Sequence, residues 1–376
     1  MNKVVLVTGL ILLDAPASAL NNAGIERGRM AENKVIVKKI RLRGREEYPY
    51  VSGQAFKRWW RESLHDNFNW KESPITREEK VAYTKADPIE YEEDDLFGYM
   101  LAPSKKENKG FVYRRVAPLK CTPLISVFSN VITSDFGVFS RGPAEKEPVP
   151  YEQEFYSTVL KGAFSLMANE VGVFQRGISL DIPAKADAEK TEEKGREAFE
   201  KKIAEMLQLA SKKKATIEDK CVKLIREERQ ERIKQTLLAL GMFDGGAKKS
   251  IYLTDVCPKL VIAAVLNIAN HVFMDSIKAD DGKITVNVDA VKEVVKDYGK
   301  NFLSPVFIGL RKGFLEDSSY EELSKLKLDL NWFENLANLK NTIADLYQES
   351  EKLSIDFGTP KEAITKLAEH AIRVCT

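Results

Sequence analysis

Residue type and spacing point most directly to chemistry in the stretch from Ser52 to His65, Ser-Gly-Gln-Ala-Phe-Lys-Arg-Trp-Trp-Arg-Glu-Ser-Leu-His, and that chemistry is the capture of an anion. Pro49 pushes Tyr48 into extended geometry. Ser52 can then accept from the free N–H groups of a helix that begins at Gly53. Those N–H groups and the positive end of the helix dipole attract phosphate. Gly53 permits close approach, and Gln54 adds a donor. At about 100° per residue, Phe56, Trp59, Trp60, Ser63 and Leu64 share one side. Gln54, Arg58, Arg61 and His65 share the other, with Lys57 on the flank. The expectation is a helix anchored by aromatics and presenting a cationic face. A solvated basic surface is the competing reading for any single helix of this kind.

Four further segments carry groups of the same chemical character. Val35–Arg43 alternates, with Ile36, Ile40 and Leu42 on one face and Lys39, Arg41 and Arg43 on the other. Period 2 puts those charges in a row whose self-repulsion calls for something anionic. Asn21 and Asn22, in a loop of small residues over 14–24, can bond phosphate or sugar oxygens or cap local backbone. Gly241–Ser250 nearly spells a phosphate-binding loop, but Ala247 separates Gly246 from Lys248 and no strand precedes it, which excludes a nucleoside triphosphate site. A turn that presents amides together with Lys248, Lys249 and Ser250 still suits a backbone phosphate; a plain glycine helix cap is the equal alternative. Phe136 and Phe139 lie in Ser129–Pro150, with little neighbouring sequence to bury them. They suit stacking against bases or packing on the protein's own surface.

Other chemistries find little support. Cys121, Cys221, Cys257 and Cys375 form no CxxC pair and have only His65, His271 and His370 to assist them, so neither a metal site nor a disulfide framework is indicated. The acidic run Asp87–Asp95 reads as a solvated loop or a contact for a basic neighbour. Asp-Phe-Gly at 135–137 lacks the companion motifs of a kinase. Lys3, the apolar run Val4–Leu13 and Ala17-Ser-Ala19 imitate a signal peptide, but the same run reads as a strand buried on both faces. No run reaches the roughly 18 apolar residues of a membrane span.

The elements that must position these groups follow from patterning. At 376 residues, 44% hydrophobic and 30% charged, the chain buries a large core. Its net charge is only +2, yet residues 1–61 alone carry +7, which favours an anionic polymer as partner for the N-terminal part. Strands are expected at 4–13, 121–128, 154–167 and 258–267, with shorter ones at 284–288 and 305–310. Helices are expected at 53–65, over 196–240 with a split near 212–216, at 289–298, and after Thr359-Pro360, an N-cap with proline in the first turn. The main elements run β-α-β-β-α-β, the ferredoxin-like plan of RNA-recognition domains, with long insertions. The class is α+β.

Asp14-Ala-Pro-Ala-Ser-Ala-Leu-Asn-Asn22, the Tyr48–Arg61 segment with its Ser-Gly-Gln-x-x-Lys-Arg core, Ser134-Asp-Phe-Gly-Val-Phe-Ser-Arg141 and Gly245-Gly-Ala-Lys248 together resemble the DevR-type CRISPR-associated proteins, the repeated backbone of type I Cascade complexes. The resemblance spans residues 3–310. It implies an RNA-recognition-like palm over 1–310, a finger or web at 66–115, a hairpin thumb at 129–150 and a helical insertion at 185–245. A C-terminal helical extension, 311–376, would pack on the palm. It implies a cytoplasmic, non-catalytic subunit without cofactor or metal. Its partners would be crRNA, target DNA through crRNA pairing, further copies of itself head to tail, and other Cascade subunits. The RNA would be held by Asn21, Asn22, Lys39, Arg41, Ser52, Gly53, Gln54, Lys57, Arg58, Arg61, Phe136, Gly246, Lys248, Lys249 and Ser250. Two rivals remain open: a metal-dependent RNase of a type III-like complex using Asp14 and residues 87–95, and a protein scaffold held by the helices of 189–240.

Overall fold

The computed structural model describes the chain except residues 1–3, 43, 45, 79–80, 102–111, 140–146, 185–186, 188–192, 326–354 and 376. Arg43, the tip of the 129–150 hairpin, and parts of the 66–115, 185–245 and 311–376 segments therefore lie outside the described residues. The elements used below are, in chain order, β1 (Leu6–Ser18), β2 (Asn22–Glu26), β3 (Lys34–Val37), β4 (Lys39–Leu42), β5 (Glu46–Val51), α1 (Gly53–Phe68), α2 (Glu92–Phe97), β6 (Leu124–Ser126), β7 (Thr133–Phe139) and β8 (Val149–Met167). They continue with α3 (Glu193–Lys212), α4 (Arg226–Ala239), α5 (Lys249–Tyr252), β9 (Leu260–Leu266), α6 (Val288–Tyr298), β10 (Val306–Leu310), β11 (Ile355–Gly358) and α7 (Pro360–Val374).

β1 is central because it has no polar face to offer water. Val7, Ile11 and Leu13 enter one core and Leu10 and Leu12 the other, as period 2 dictates. Gly9 interrupts the apolar run for a packing reason: a Cβ there would lie 2.8 Å from the Phe164 ring and 2.6 Å from Ala263. The main sheet runs β11-β10-β9-β1-β8-β6-β5-β4. β11 joins β10 in parallel; the other neighbours along this path are antiparallel. The fold is α+β around a large mixed sheet.

One face of the sheet is covered by α1, α4 and α7 through Phe56, Trp60, Ile233, Leu237, Ile364 and Leu367. The other face is covered by the segment that includes α6, through Phe273, Val291, Val295 and Phe302. The aromatic side of α1 docks as its spacing indicates. Trp60 lies 5.3 Å from Phe243 and 5.8 Å from Phe164, ring to ring, and its indole N–H donates to Thr236 O at 2.7 Å. α7 starts in a capping box: Thr359 Oγ1 accepts from Glu362 N while Glu362 accepts from Thr359 N. Among the described residues no helix is long and apolar enough to cross a membrane. The four cysteines are free thiols.

Several expectations need correction. Residues 14–18 are not loop but the end of β1, which keeps its pairing to β8 across a bulge between Ala15 and Ser18. Residues 121–128 split into two short strands along β8, Leu119–Cys121 and Leu124–Ser126, on either side of Pro123, which has no N–H for a ladder. The alternating stretch 35–43 is two strands broken at Lys38, and its buried member is Val37; Leu42 is exposed. Lys38 N turns aside to donate to Asn21 O.

The acidic run 87–95 is not a solvated loop. Asp87, Glu93, Asp94 and Asp95 are all buried, most of them in α2, and the basic neighbour comes from far along the chain. Asp95 meets Arg115 on one oxygen and Arg232 at 2.8 Å on the other, which also accepts from Gly172 N at 2.9 Å. Arg115 reaches Asp181 at 3.1 Å, and Arg232 reaches Glu228 at 2.9 Å. A charge removed from water is tolerable only when every partner is in place. Arg232→Met is therefore expected to lower unfolding stability by about 3–5 kcal/mol, the usual cost of orphaning one side of a buried pair. Urea denaturation measures it, and a loss within error of zero would show that Arg115 alone neutralises Asp95.

Candidate nucleic-acid interface

Three segments far apart in sequence meet at the start of α1. Ser52 is its N-cap in extended geometry, with Oγ accepting from Ala55 N at 3.3 Å. Asn21 Oδ1 accepts from Ser52 N at 3.0 Å, so Asn21 braces the cap. Leu20 O in turn accepts from Ala247 N at 3.0 Å, which ties the Gly245–Lys248 turn to the same loop. Gly245 lies against the Trp59 indole, where a Cβ would overlap the ring. Gly246 has φ +102°, and a Cβ there would lie 2.7 Å from Leu20. The chain's own packing thus requires both glycines of the turn.

Gly53 differs. Its φ lies outside the left-handed region, and an added Cβ would meet nothing nearer than Cys121 O at 3.7 Å, an ordinary contact. The protein's interior gives no reason for glycine there, since the added Cβ would rest in ordinary contact with the backbone of residues 121–123. Gln54 beside it is exposed. Lys57 is partly exposed and makes no ion pair with a described residue. Arg58 is exposed and paired with Glu62 at 2.7 Å, one helical turn on. Such an exposed pair is worth a few tenths of a kcal/mol, about 0.3–0.5, and yields readily to a phosphate.

The rest of the expected cationic face is not outward. The Arg61 guanidinium sits over the Phe97 ring at 4.5 Å and 3.8 Å from Glu93, and His65 Nε2 lies 3.1 Å from Glu93 Oε2. Burial pulls the Arg61 pKa down, with Glu93 opposing. Arg61 and His65 therefore join α1 to α2, and the cations that α1 offers outward are Lys57 and, through its surface pair with Glu62, Arg58. The β3–β4 stripe is corrected likewise. The Lys39 ammonium lies 3.1 Å from the buried Glu154 and 3.6 Å from Glu47, and Lys34 lies 2.9 Å from Glu154. Arg41 is exposed but bonds Glu47 at 3.0 Å. The repulsion between Lys39 and Arg41 is already offset by the protein's own carboxylates.

The remaining predicted groups flank the junction. Lys248 stands in the left-handed region, and its ammonium donates to Gln153 Oε1. Lys249 pairs with Asp244, and Ser250 is exposed. Asn22 Oδ1 is buried and meets no donor. β7 pairs antiparallel with the first residues of β8, and on it Phe136 and Phe139 are 44% and 60% exposed, so they do not pack into the core. Sequence reading missed Gln153, Glu154 and Glu47. A visible signal existed for the first two: Glu152-Gln153-Glu154 is an unbroken polar run inside a strand, and such a run needs polar partners on both faces.

Residues 14–288 match the family described as CRISPR-associated negative auto-regulator DevR/Csa2. The chain belongs to this family. That match contains the Asn21 loop, the start of α1, the β7–β8 hairpin and the Gly245–Lys248 turn of this DevR/Csa2 chain. No curated protein matches it. Among solved structures it is similar to a chain of a "CRISPR RNA-guided surveillance complex", at 13% identity over 84% of this chain and 92% of that one, TM-score 0.45. A chain of the same kind of complex in a pre-nicking state gives 12%, 83%, 94% and 0.45. A chain of a type III-B Cmr-beta complex bound to cognate target RNA gives 11%, 44%, 49% and 0.27. At this degree of likeness no residue role is carried across.

The α1–α2 contact has a pH dependence that follows from its geometry. The hydrogen bond to Glu93, opposed by burial, raises the His65 pKa. A raised folded-state value contributes stability that is complete below the unfolded histidine value of about 6.5 and is lost as pH rises through the folded value. His65→Gln should therefore be less stable than the parent near pH 6, and the gap should be narrower at about pH 8. Paired denaturation curves at the two pH values test this; a gap independent of pH would mean that His65 acts there without its charge.

Proposed function

We propose that this DevR/Csa2 chain is a non-catalytic crRNA-binding backbone subunit. It oligomerises along the guide in a type I Cascade surveillance complex and leaves the bases free to pair with target DNA in the cytoplasm. The observation that carries this is the junction at the start of α1. There a braced helix N-terminus that begins with the half-buried Gly53, together with Gln54, Lys57, Arg58 and the Lys248 turn, gathers donors. Such a set binds phosphates irrespective of sequence.

The strand order supports a palm of the RNA-recognition type. Taking β1, α1, β6, β8, α4 and β9 in chain order gives β-α-β-β-α-β, and their order across the sheet is β9-β1-β8-β6, with both helices on one face. The other face, which RNA-recognition domains leave open to stack bases, is here covered over β1 and β9 by Phe273, Val291, Val295 and Phe302. This favours an RNA path at the helix side and along the β7–β8 hairpin, our thumb. Phe136 would wedge between bases there, at a cost that neighbouring phosphate contacts offset. The rival RNase reading loses four of its seven carboxylates, because Asp87, Glu93, Asp94 and Asp95 are enclosed and bonded.

Guide-RNA binding at several salt concentrations tests the proposal. Lys57→Ala should weaken binding and flatten the log–log salt slope by about 0.7, one phosphate contact on a single strand. Gly53→Ala should fold at least as stably, since alanine is the better helix former by up to about 1 kcal/mol, yet bind several-fold more weakly. Arg61→Ala should cost stability and leave the slope unchanged. Parent protein that fails to bind guide RNA at low salt, or that cleaves target RNA with Mg²⁺ in a manner abolished by Asp14→Ala, would overturn the reading.

A further inference from the structure

The Lys248 ammonium is held by the hairpin rather than by its own turn. It donates to Gln153 Oε1, and Gln153 Nε2 donates to Asp135 Oδ2 at 3.2 Å. Asp135 and Gln153 face each other across the β7–β8 ladder, so one cross-strand pair does both jobs. The orientation of the Gln153 amide is forced. An ammonium can only donate and a carboxylate can only accept, so the oxygen must face Lys248 and the nitrogen must face Asp135. The ring of Tyr252, the last residue of the short helix α5 that follows the turn, lies 6.0 Å from that of Phe155, two residues along β8. The turn and the hairpin base are therefore joined at two points.

The acceptor chosen is neutral. A carboxylate in place of Gln153 would cancel the lysine charge, as Glu154 does for Lys39. The amide fixes one of the three ammonium hydrogens and leaves the charge and two donors for an anion. The charged Asp135 bonds the amide rather than the ammonium, which it attracts only at longer range, against the burial that lowers the lysine pKa.

Resting on the RNA-binding reading above, we infer that Gln153, oriented by Asp135, is a positioning residue that presents Lys248 to a guide-RNA phosphate. It thereby couples the set of the hairpin to the grip on the backbone. Gln153 itself touches no phosphate; it acts through Lys248.

The test is a double-mutant cycle on the full chain, with guide RNA as the probe, affinity and salt slope as readouts, and thermal melting to verify folding. Lys248→Ala should lower affinity and flatten the slope by about 0.7. Gln153→Ala should lower affinity two- to five-fold in the parent and have no further effect in Lys248→Ala. Gln153→Glu keeps an acceptor but neutralises the lysine, so it should flatten the slope as far as Lys248→Ala does. Equal effects of Gln153→Ala with and without Lys248, or an unchanged slope in Gln153→Glu, would overturn the inference while RNA binding by the parent stands. If Lys248→Ala binds like the parent, the lysine is no contact and the inference falls alone. If the parent binds no guide RNA, the functional reading itself falls.

Discussion

The docking of α1 by its aromatic side is the constraint on which the rest depends. Trp60 is locked between Phe164 of the sheet and Phe243, and its one polar atom is satisfied by Thr236 O. A buried indole N–H left without a partner would cost a free energy comparable to a lost hydrogen bond, so the rotation of the helix about its axis is fixed. One residue earlier Trp59 forms the floor on which Gly245 lies. The same face that anchors the helix therefore also brings the glycine turn to the helix start. A substitution that rotated α1 would separate the groups that make up the site.

Once α1 is fixed, charge is sorted by burial rather than by sequence neighbourhood. Two sets of cations within residues 1–61 show this. Lys34, Lys39, Arg41 and Arg61 are answered by Glu47, Glu93 and Glu154, several of them deep enough that an unpaired partner would be costly. Lys57 and, through an easily broken surface pair, Arg58 remain for an external anion. A net +7 over residues 1–61 thus overstates the basic surface, because part of that charge holds the protein together.

The sheet imposes a second restriction. With both faces of β1 and β9 buried, these two central strands offer no surface on which bases could stack. Contacts with a nucleic acid then have to come from helix starts, turns and the β7–β8 ladder. Those are the places where this chain exposes unspent donors and aromatic rings.

Local pattern determined a good deal by itself. The apolar run of β1, the 3.6-residue spacing of Phe56, Trp59, Trp60, Ser63 and Leu64, and the Thr359-Pro360 cap were legible because each depends on residues within one element. The meeting of Asn21, Ser52 and Ala247 was not legible, since it needs strand pairing over more than two hundred residues. Nor was the fate of the charges: Asp95 looks like a surface acid until Arg115 and Arg232 are brought to it. Arg61 looks solvated until α2 covers it. Sequence spacing fixes which side of an element a residue occupies, because that follows from backbone geometry alone. Only the tertiary structure decides what lies opposite, and for an ionisable group the opposite partner determines whether its charge is spent inside or offered outside.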